Sequence, residues 1–287
     1  MSIMMLILYV FQCKIFYMCA FQDMLKKISS STYYDQMVRF SLPLYDHFGI
    51  NHFWYYKISN SGHYSYVGTH AAWNEFSFEN PIVKYSPCLR HPDSMQKGIS
   101  FMKTAAGGDY KELLNMAWEK FKINLNINLV DATPSGIEAF GFASSFNDLH
   151  ADERLLNHLP LLRTFTGFFK KRCEKLIHLL DDNQVDLRVQ FGQQFYERPS
   201  FLNIPFERDK FLRQIGFENI LSLTPRESEI LKFMSNGYSA PYIATQLHLS
   251  KRTVENYLET IKSKLFCNSK TELIQKAHRI AATGYFN

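Results

Sequence analysis

Between Ser31 and Phe48 the apolar residues Tyr34, Met37, Val38, Phe40, Leu44 and Phe48 recur at steps of three and four. That spacing predicts a helix, interrupted at Pro43 and ended by Gly49. The period then changes. His52 to Ile58 and His63 to Val67 are aromatic and β-branched runs separated by Ser59-Asn60-Ser61-Gly62, which predicts a hairpin. Asp109 to Phe121 returns to helical spacing through Leu113, Leu114, Ala117, Trp118 and Phe121. A second hairpin is predicted from Ile123 to Val130 and Ile137 to Ser144, turned through Thr133-Pro134-Ser135-Gly136. Asp152 to Leu180 keeps its apolar residues on one helical stripe, a long helix that Pro160 kinks. Helix, hairpin, helix, hairpin and a covering helix make an α+β fold, an α/β/α sandwich.

The pattern near the carboxy terminus is purely helical. Thr224-Pro225-Arg226-Glu227 places an N-cap Thr, a Pro at the first helical position and a Glu at the third, a reciprocal capping box. Ile230, Leu231, Phe233 and Met234 give that helix a buried face, and Gly237 stops it. Ser239 caps a short second helix, and His248-Leu249 turns into a third helix that Ser250 caps. Val254, Leu258, Ile261 and Leu265 form one stripe of this third helix. Its other face shows Lys251, Arg252, Glu255, Asn256, Glu259 and Lys262. Ser269 and Glu272 repeat the capping box before a fourth helix. A tight turn followed by a capped helix with a cationic amino end is how a helix-turn-helix meets base edges and phosphates; a solvated charged face is the plainer reading of the same residues. From Glu218 onward nine Lys plus Arg face six Asp plus Glu, which leaves the two readings near even.

Composition narrows the class. The chain has 287 residues, 46% hydrophobic and 21% charged, with a formal charge of +5, which excludes disordered, collagen-like and coiled-coil proteins and permits an anionic partner without requiring one. The boundaries read from the pattern are an apolar extension at 1–30, a sandwich at 31–182, a linker at 183–217 and a four-helix helix-turn-helix domain at 218–287. Five Cys without a CxxC pair argue against a disulfide framework or a zinc site and favour a reducing compartment. No HExxH, phosphate loop or GxSxG occurs, so no catalytic residue, metal or cofactor is assigned and the chain is read as a non-enzyme. Ile3 to Phe21 is apolar apart from Gln12 and Lys14. Three readings of it stand: sequence upstream of a true start at Met18 or Met24, a helix packed on the body, or a membrane anchor. If it inserts, Lys26 and Lys27 hold the remainder in the cytoplasm, and in the other two readings the body is cytoplasmic as well.

Leu223 to Leu273 closely resembles the DNA-binding domain of LuxR-type transcription regulators. It keeps LTxRE, the Gly and Ser between the first two helices, IAxxL, LSxxTVExY and IxxKL. The resemblance implies a sequence-specific regulator that binds double-stranded DNA, pairs as a homodimer through its fourth helix and meets RNA polymerase. It places Lys251, Arg252, Thr253, Asn256 and Tyr257 where the family touches phosphates and bases, with Thr253 and Lys264 on the backbone. Ala240-Pro241-Tyr242 departs from the usual Asn-Lys/Arg-Glu, which removes a capping box and one cation from the second helix.

The front half lacks the parallel βα pattern of a receiver. With its helix-and-hairpin order and VDATPSGIEAFGFAS (Val130 to Ser144) standing where the family has its Gly-rich later strands, it resembles the autoinducer-binding sandwich of quorum-sensing regulators, a fold akin to GAF and PAS domains. That likeness implies control by a small apolar signal held by Trp54, Tyr56, Tyr66, Trp73, Phe76, Asn80 and Tyr85, though each of the aromatic residues among these also reads as plain core. The family's pocket has a Tyr four residues after its Trp and then an Asp-Pro. Here Ser77 stands four residues after Trp73, and Asn80-Pro81 arrives only seven after it, short of the family's spacing; if Asn80 aligns with the Asp, the carboxylate that accepts a lactone's amide N–H is missing. A non-lactone ligand and a ligand-independent regulator therefore stay open beside the quorum sensor.

Overall fold

The computed structural model describes residues 19–95, 97–105, 108–197, 208–282, 285 and 286. Two compact units divide the chain, Met1–Asn203 and Ile204–Asn287.

The first unit opens with helix α1, described over residues 19–29, and α2 (Thr32–Phe48). Ile3 to Met18 of the apolar run lie outside the described residues. Its last part does not: Phe21, and with it Met24 and Ile28 of the stretch read as an extension, are buried in the core. Among the described residues no helix is long and apolar enough to cross a membrane. Ser31 caps α2 by accepting the Tyr34 N–H, and Gly49 ends it at φ 65°, a conformation that costs glycine little. The helix is not interrupted at Pro43 as its sequence predicts. Burial of Met37, Ser41 and Leu44 on one face outweighs the missing donor.

Strands β1 (Ile50–Ser59), β2 (His63–Gly68), β3 (Gly98–Phe101), β4 (Ile123–Thr133), β5 (Gly136–Ser145) and β6 (Val185–Asp186) form one sheet in the order β3-β4-β5-β1-β2-β6. Every neighbouring pair is antiparallel. Both predicted hairpins are present as β1–β2 and β4–β5. Helices α3 (Ala71–Glu79), α4 (Met102–Ala105) and α5 (Tyr110–Phe121) lie between strands. The single long helix expected from Asp152 to Leu180 is instead three: α6 (Ala151–Asn157), α7 (Leu159–Arg172) and α8 (Glu174–Asp182). Pro160 causes the first break because it lacks an N–H and fits only the first turn of a new helix. The second falls at Cys173, where neither Pro nor Gly occurs. Residues 185–196, inside the stretch read as a linker, form β6, α9 (Leu187–Phe191) and a 3₁₀ turn that buries Phe195 completely.

Alternation along the strands sorts the aromatic residues onto two faces. Phe53, Tyr55 and Phe140 stack against Phe169 of α7, with ring centroids 5.0–6.1 Å apart among these contacts. The opposite face carries Trp54, Tyr56, Tyr64 and Tyr66. Beside them β5 offers only small residues: Tyr56 pairs with Ala139, Trp54 with Gly141 and His52 with Ala143. The second unit contains α10 (Arg208–Gln214), α11 (Glu218–Leu221), α12 (Pro225–Ser235), α13 (Ala240–Gln246), α14 (Lys251–Lys264) and α15 (Lys270–Ala282). Ile230, Leu231, Ile243, Val254, Ile261, Leu273 and Ala277 make its core.

Candidate nucleic-acid interface and interior cavity

Of the four caps predicted in the second unit, those at Thr224 and Ser250 form as expected, the box at Ser269 and Glu272 closes only halfway, and Ser239 makes no cap. Glu227 N–H donates to Thr224 Oγ1 at 3.3 Å and Thr224 N–H to Glu227 Oε2 at 2.6 Å, closing the box at α12. His248 takes a left-handed φ of 53°, and Leu249 N–H reaches Ala244 O, which makes the turn between α13 and α14 tight. Ser250 Oγ then accepts the Thr253 N–H at 3.0 Å and starts α14. At the next helix Glu272 donates to Ser269 Oγ through its backbone, but its carboxylate accepts from Asn268 rather than from Ser269. Ser239 makes no side-chain cap on α13, in keeping with Tyr242 standing where a Glu would close the box. Instead the Tyr242 ring stacks on Tyr238 at 4.4 Å, both half-exposed.

With Val254, Leu258 and Ile261 buried, the solvent face of α14 is fixed. Lys251, Arg252 and Asn256 are exposed on it, and Thr253 and Tyr257 are half-buried at its margin. Lys251 lies 3.5 Å from Glu255 on the same helix, an exposed pair too weak to hold it back from a phosphate. Lys264 differs from these five. Its Nζ donates to Glu227 Oε2 at 2.7 Å and to Ser222 O at 3.1 Å, so the cation placed by resemblance on the DNA backbone already has partners inside the domain. Burial pushes the Glu227 carboxyl up, but the Lys264 ammonium and the Thr224 donors outweigh it and hold it below the usual carboxylate range. That ion pair ties the start of α12 to the end of α14. Arg226 adds a second tie by donating to Leu247 O at 2.8 Å, so the helix-turn-helix is braced at both ends.

In the first unit a cavity of about 50 Å³ opens between the small-residue face of the sheet and α3, α4 and α5. Of the seven residues expected to hold a ligand, Trp54, Tyr56, Tyr66 and Trp73 line it, whereas Phe76, Asn80 and Tyr85 do not. Asn80 Oδ1 accepts the Ile82 N–H, and its Nδ2 points to Met116 Sδ, so its amide does not serve as a substitute carboxylate in the cavity. Tyr66 Oη donates to Asn74 Oδ1 at 2.7 Å, and Asn74 Nδ2 donates to Gly68 O. The volume is well below the roughly 300–1,000 Å³ of a usual small-molecule site.

The sequence reading missed His52. It is 1% exposed, lines the cavity and stacks on Trp54 at 5.1 Å. Its Nδ1 accepts the His70 N–H at 3.1 Å, which places the proton on Nε2. Only the alternation from Trp54 and Tyr56 back to His52 marks this face in sequence. Desolvation first, and the neighbouring His70 second, lower its pKa from 6.5 to about 3. Its folded-state pKa lies below the unfolded one, so its contribution is fully present above pH 6.5 and is lost as pH falls toward 3. Between pH 6.5 and 5 the loss amounts to about 2 kcal/mol. We expect His52→Asn, whose Oδ1 can still accept the His70 N–H, to flatten that part of the stability–pH curve in urea titrations. An unaltered slope would refute the assignment.

Residues 221–277 match the family model of bacterial regulatory proteins, luxR family. The chain is 38% identical across 67 residues to the transcriptional regulatory protein DegU of Brevibacillus brevis, covering 21% of this chain and 28% of that protein. It is 46% identical across 52 residues to ComA of Bacillus subtilis, covering 18% and 24%. It is 45% identical across 80 residues to the uncharacterized response regulatory protein YgeK of Escherichia coli, covering 28% and 53%. The chain thus spans about a quarter of the length of DegU and ComA. Among solved structures, Escherichia coli SdiA aligns with 93% of this chain and 98% of its own at 14% identity and a TM-score of 0.33. The C-terminal domain is a luxR-type helix-turn-helix.

Proposed function

We propose that this protein is a sequence-specific DNA-binding transcription regulator whose α14 enters the major groove. The observation that carries this reading is the exposed face of Lys251, Arg252 and Asn256 on a helix whose amino end is capped, within a domain of the luxR type. Lys251, Arg252 and Thr253 supply phosphate contacts at that end. Asn256, one turn on, presents an amide able to pair with adenine N6 and N7. Tyr257 packs at the margin. One such domain reads few base pairs, so two copies paired through α15 read two half-sites about 10 base pairs apart. RNA polymerase is the further partner this reading implies.

The interior cavity, lined by Trp54, Tyr56, Tyr66 and Trp73, supports control of DNA binding by a small molecule held in the first unit. Among the described residues no carboxylate lines the cavity, which favours a signal other than an acyl-homoserine lactone. The DNA reading is tested by fluorescence anisotropy on the intact chain. Asn256→Ala is expected to weaken binding to a selected site by about 1–3 kcal/mol while leaving random DNA unaffected. Lys251→Ala and Arg252→Ala are each expected to weaken both and to lower the slope of log K against log salt by about one. Equal losses on selected and random DNA for Asn256→Ala would remove it from base reading.

A further inference from the structure

We propose that the cavity of the first unit selects uncharged ligands that bring a hydrogen-bond acceptor, recognised by His52 Nε2–H and Tyr56 Oη–H. The inference rests on the reading of that cavity as a sensory site and names the chemistry it takes. Two observations carry it. Both residues are 1% exposed and line the cavity, and neither His52 Nε2 nor Tyr56 Oη has a hydrogen-bond partner among the described residues. A buried donor left unpaired costs about 1–3 kcal/mol, so two on one wall mark a place where an acceptor is missing.

The chemistry of each donor is fixed by its surroundings. Because Nδ1 of His52 is occupied by the His70 N–H, Nε2 is a donor and not an acceptor. The Cys88 thiol lies near Tyr56 Oη but outside hydrogen-bond geometry, and burial keeps the phenol protonated, hence also a donor. His52 and Tyr56 stand four residues apart on one face of β1, with the Trp54 indole between them, so about 13 Å of strand separates their backbones. Asn128 Oδ1 is unpartnered as well, but Asn128 contacts Cys88 and Met102 and does not line the cavity. Among the described residues none that lines the cavity is charged, which disfavours a carboxylate or an ammonium. What fits is a small apolar body carrying a ketone, ester or amide oxygen, with no amide N–H required. As it stands the space suits a few waters, so a ring compound enters by displacing them and parting the walls.

Acetophenone and ethylbenzene share a shape and differ in the carbonyl oxygen. Thermal unfolding of the intact chain is measured with each at about 1 mM, for the wild type, Tyr56→Phe and His52→Asn. The proposal expects acetophenone to raise Tm more than ethylbenzene does. Its single oxygen reaches one of the two donors, so its affinity should fall about 2- to 10-fold in one of the two variants while ethylbenzene is unaffected, the range of one neutral hydrogen bond, and a fall in neither variant would overturn the proposal. His52→Asn keeps the bond to His70, and Tyr56→Phe removes a single oxygen, so a fold defect shows separately in the ligand-free Tm. Equal shifts for the two compounds, or no shift with either because the cavity holds water only, would overturn the proposal. DNA anisotropy with acetophenone is the separate reading: a carbonyl preference without any change in DNA affinity upholds the site and overturns only ligand control of DNA binding.

Discussion

Gly141→Val is expected to destabilise the first unit by about 3–5 kcal/mol, the cost of expelling a buried tryptophan. A Cβ at this position would overlap the Trp54 indole at Cε2, Cζ2 and Nε1. Trp54 is 5% exposed and stacks on His52, and the cavity beside it is far smaller than an indole, so it cannot yield without disturbing the core. Domains of this size hold only about 5–15 kcal/mol in total, so the variant should lose its near-ultraviolet dichroism at much lower urea than the wild type. Adding Trp54→Ala should recover part of the loss, because the two changes meet at one contact and are not additive. An unshifted urea midpoint for Gly141→Val would show that the indole does not occupy that place.

Lys264→Met is the second large effect. The change leaves the Glu227 carboxylate, 4% exposed, without its cation while keeping the length of the side chain. Removing one partner of a buried pair costs about 3–5 kcal/mol; with Lys264 itself 31% exposed, about 2–3 kcal/mol is expected here. The loss has a pH signature. Glu227 titrates below its ordinary range in the folded protein, so the pair stabilises fully above the unfolded carboxylate pKa of 4.5 and the contribution fades as pH falls through the depressed folded value. Lys264→Met should therefore be much less stable than wild type at neutral pH and approach it in acid. If Lys264 braces the domain rather than touching phosphate, the folded variant keeps the wild-type salt slope of DNA binding. A slope lower by about one would return Lys264 to the DNA backbone.

Much of this was legible in the chain because it rests on local rules. The capping box at Thr224, the stripe of Val254, Leu258 and Ile261, and the two hairpins are set by neighbours within a few residues, and the structure contains all of them. The misreadings arise where tertiary packing decides. Pro43 sits inside an unbroken helix because that helix buries Met37 and Leu44. Strand β3 has four residues, each only half-buried, and β6 has two, too short to show a period. The ligand residues divide the same way. Trp54, Tyr56 and Tyr66 fall on one sheet face by strict alternation, whereas Asn80 depends on a loop in which its side chain caps a turn. His52 belongs to the same alternation, but its importance comes from the His70 N–H eighteen residues away, which no local pattern foretells.

Whether α14 reads sequence decides most directly what this protein does. The measurement is a selection from random double-stranded DNA by the intact chain, run in parallel with Asn256→Ala, followed by anisotropy of the enriched duplexes at two salt concentrations. The expected result is a two-fold symmetric site with half-sites about 10 base pairs apart, bound about a thousandfold or more tighter than random DNA, and enriched poorly by the variant. If the wild type binds every duplex alike, with a salt slope and no enriched site, α14 is only a cationic face and the protein is not a sequence-specific regulator.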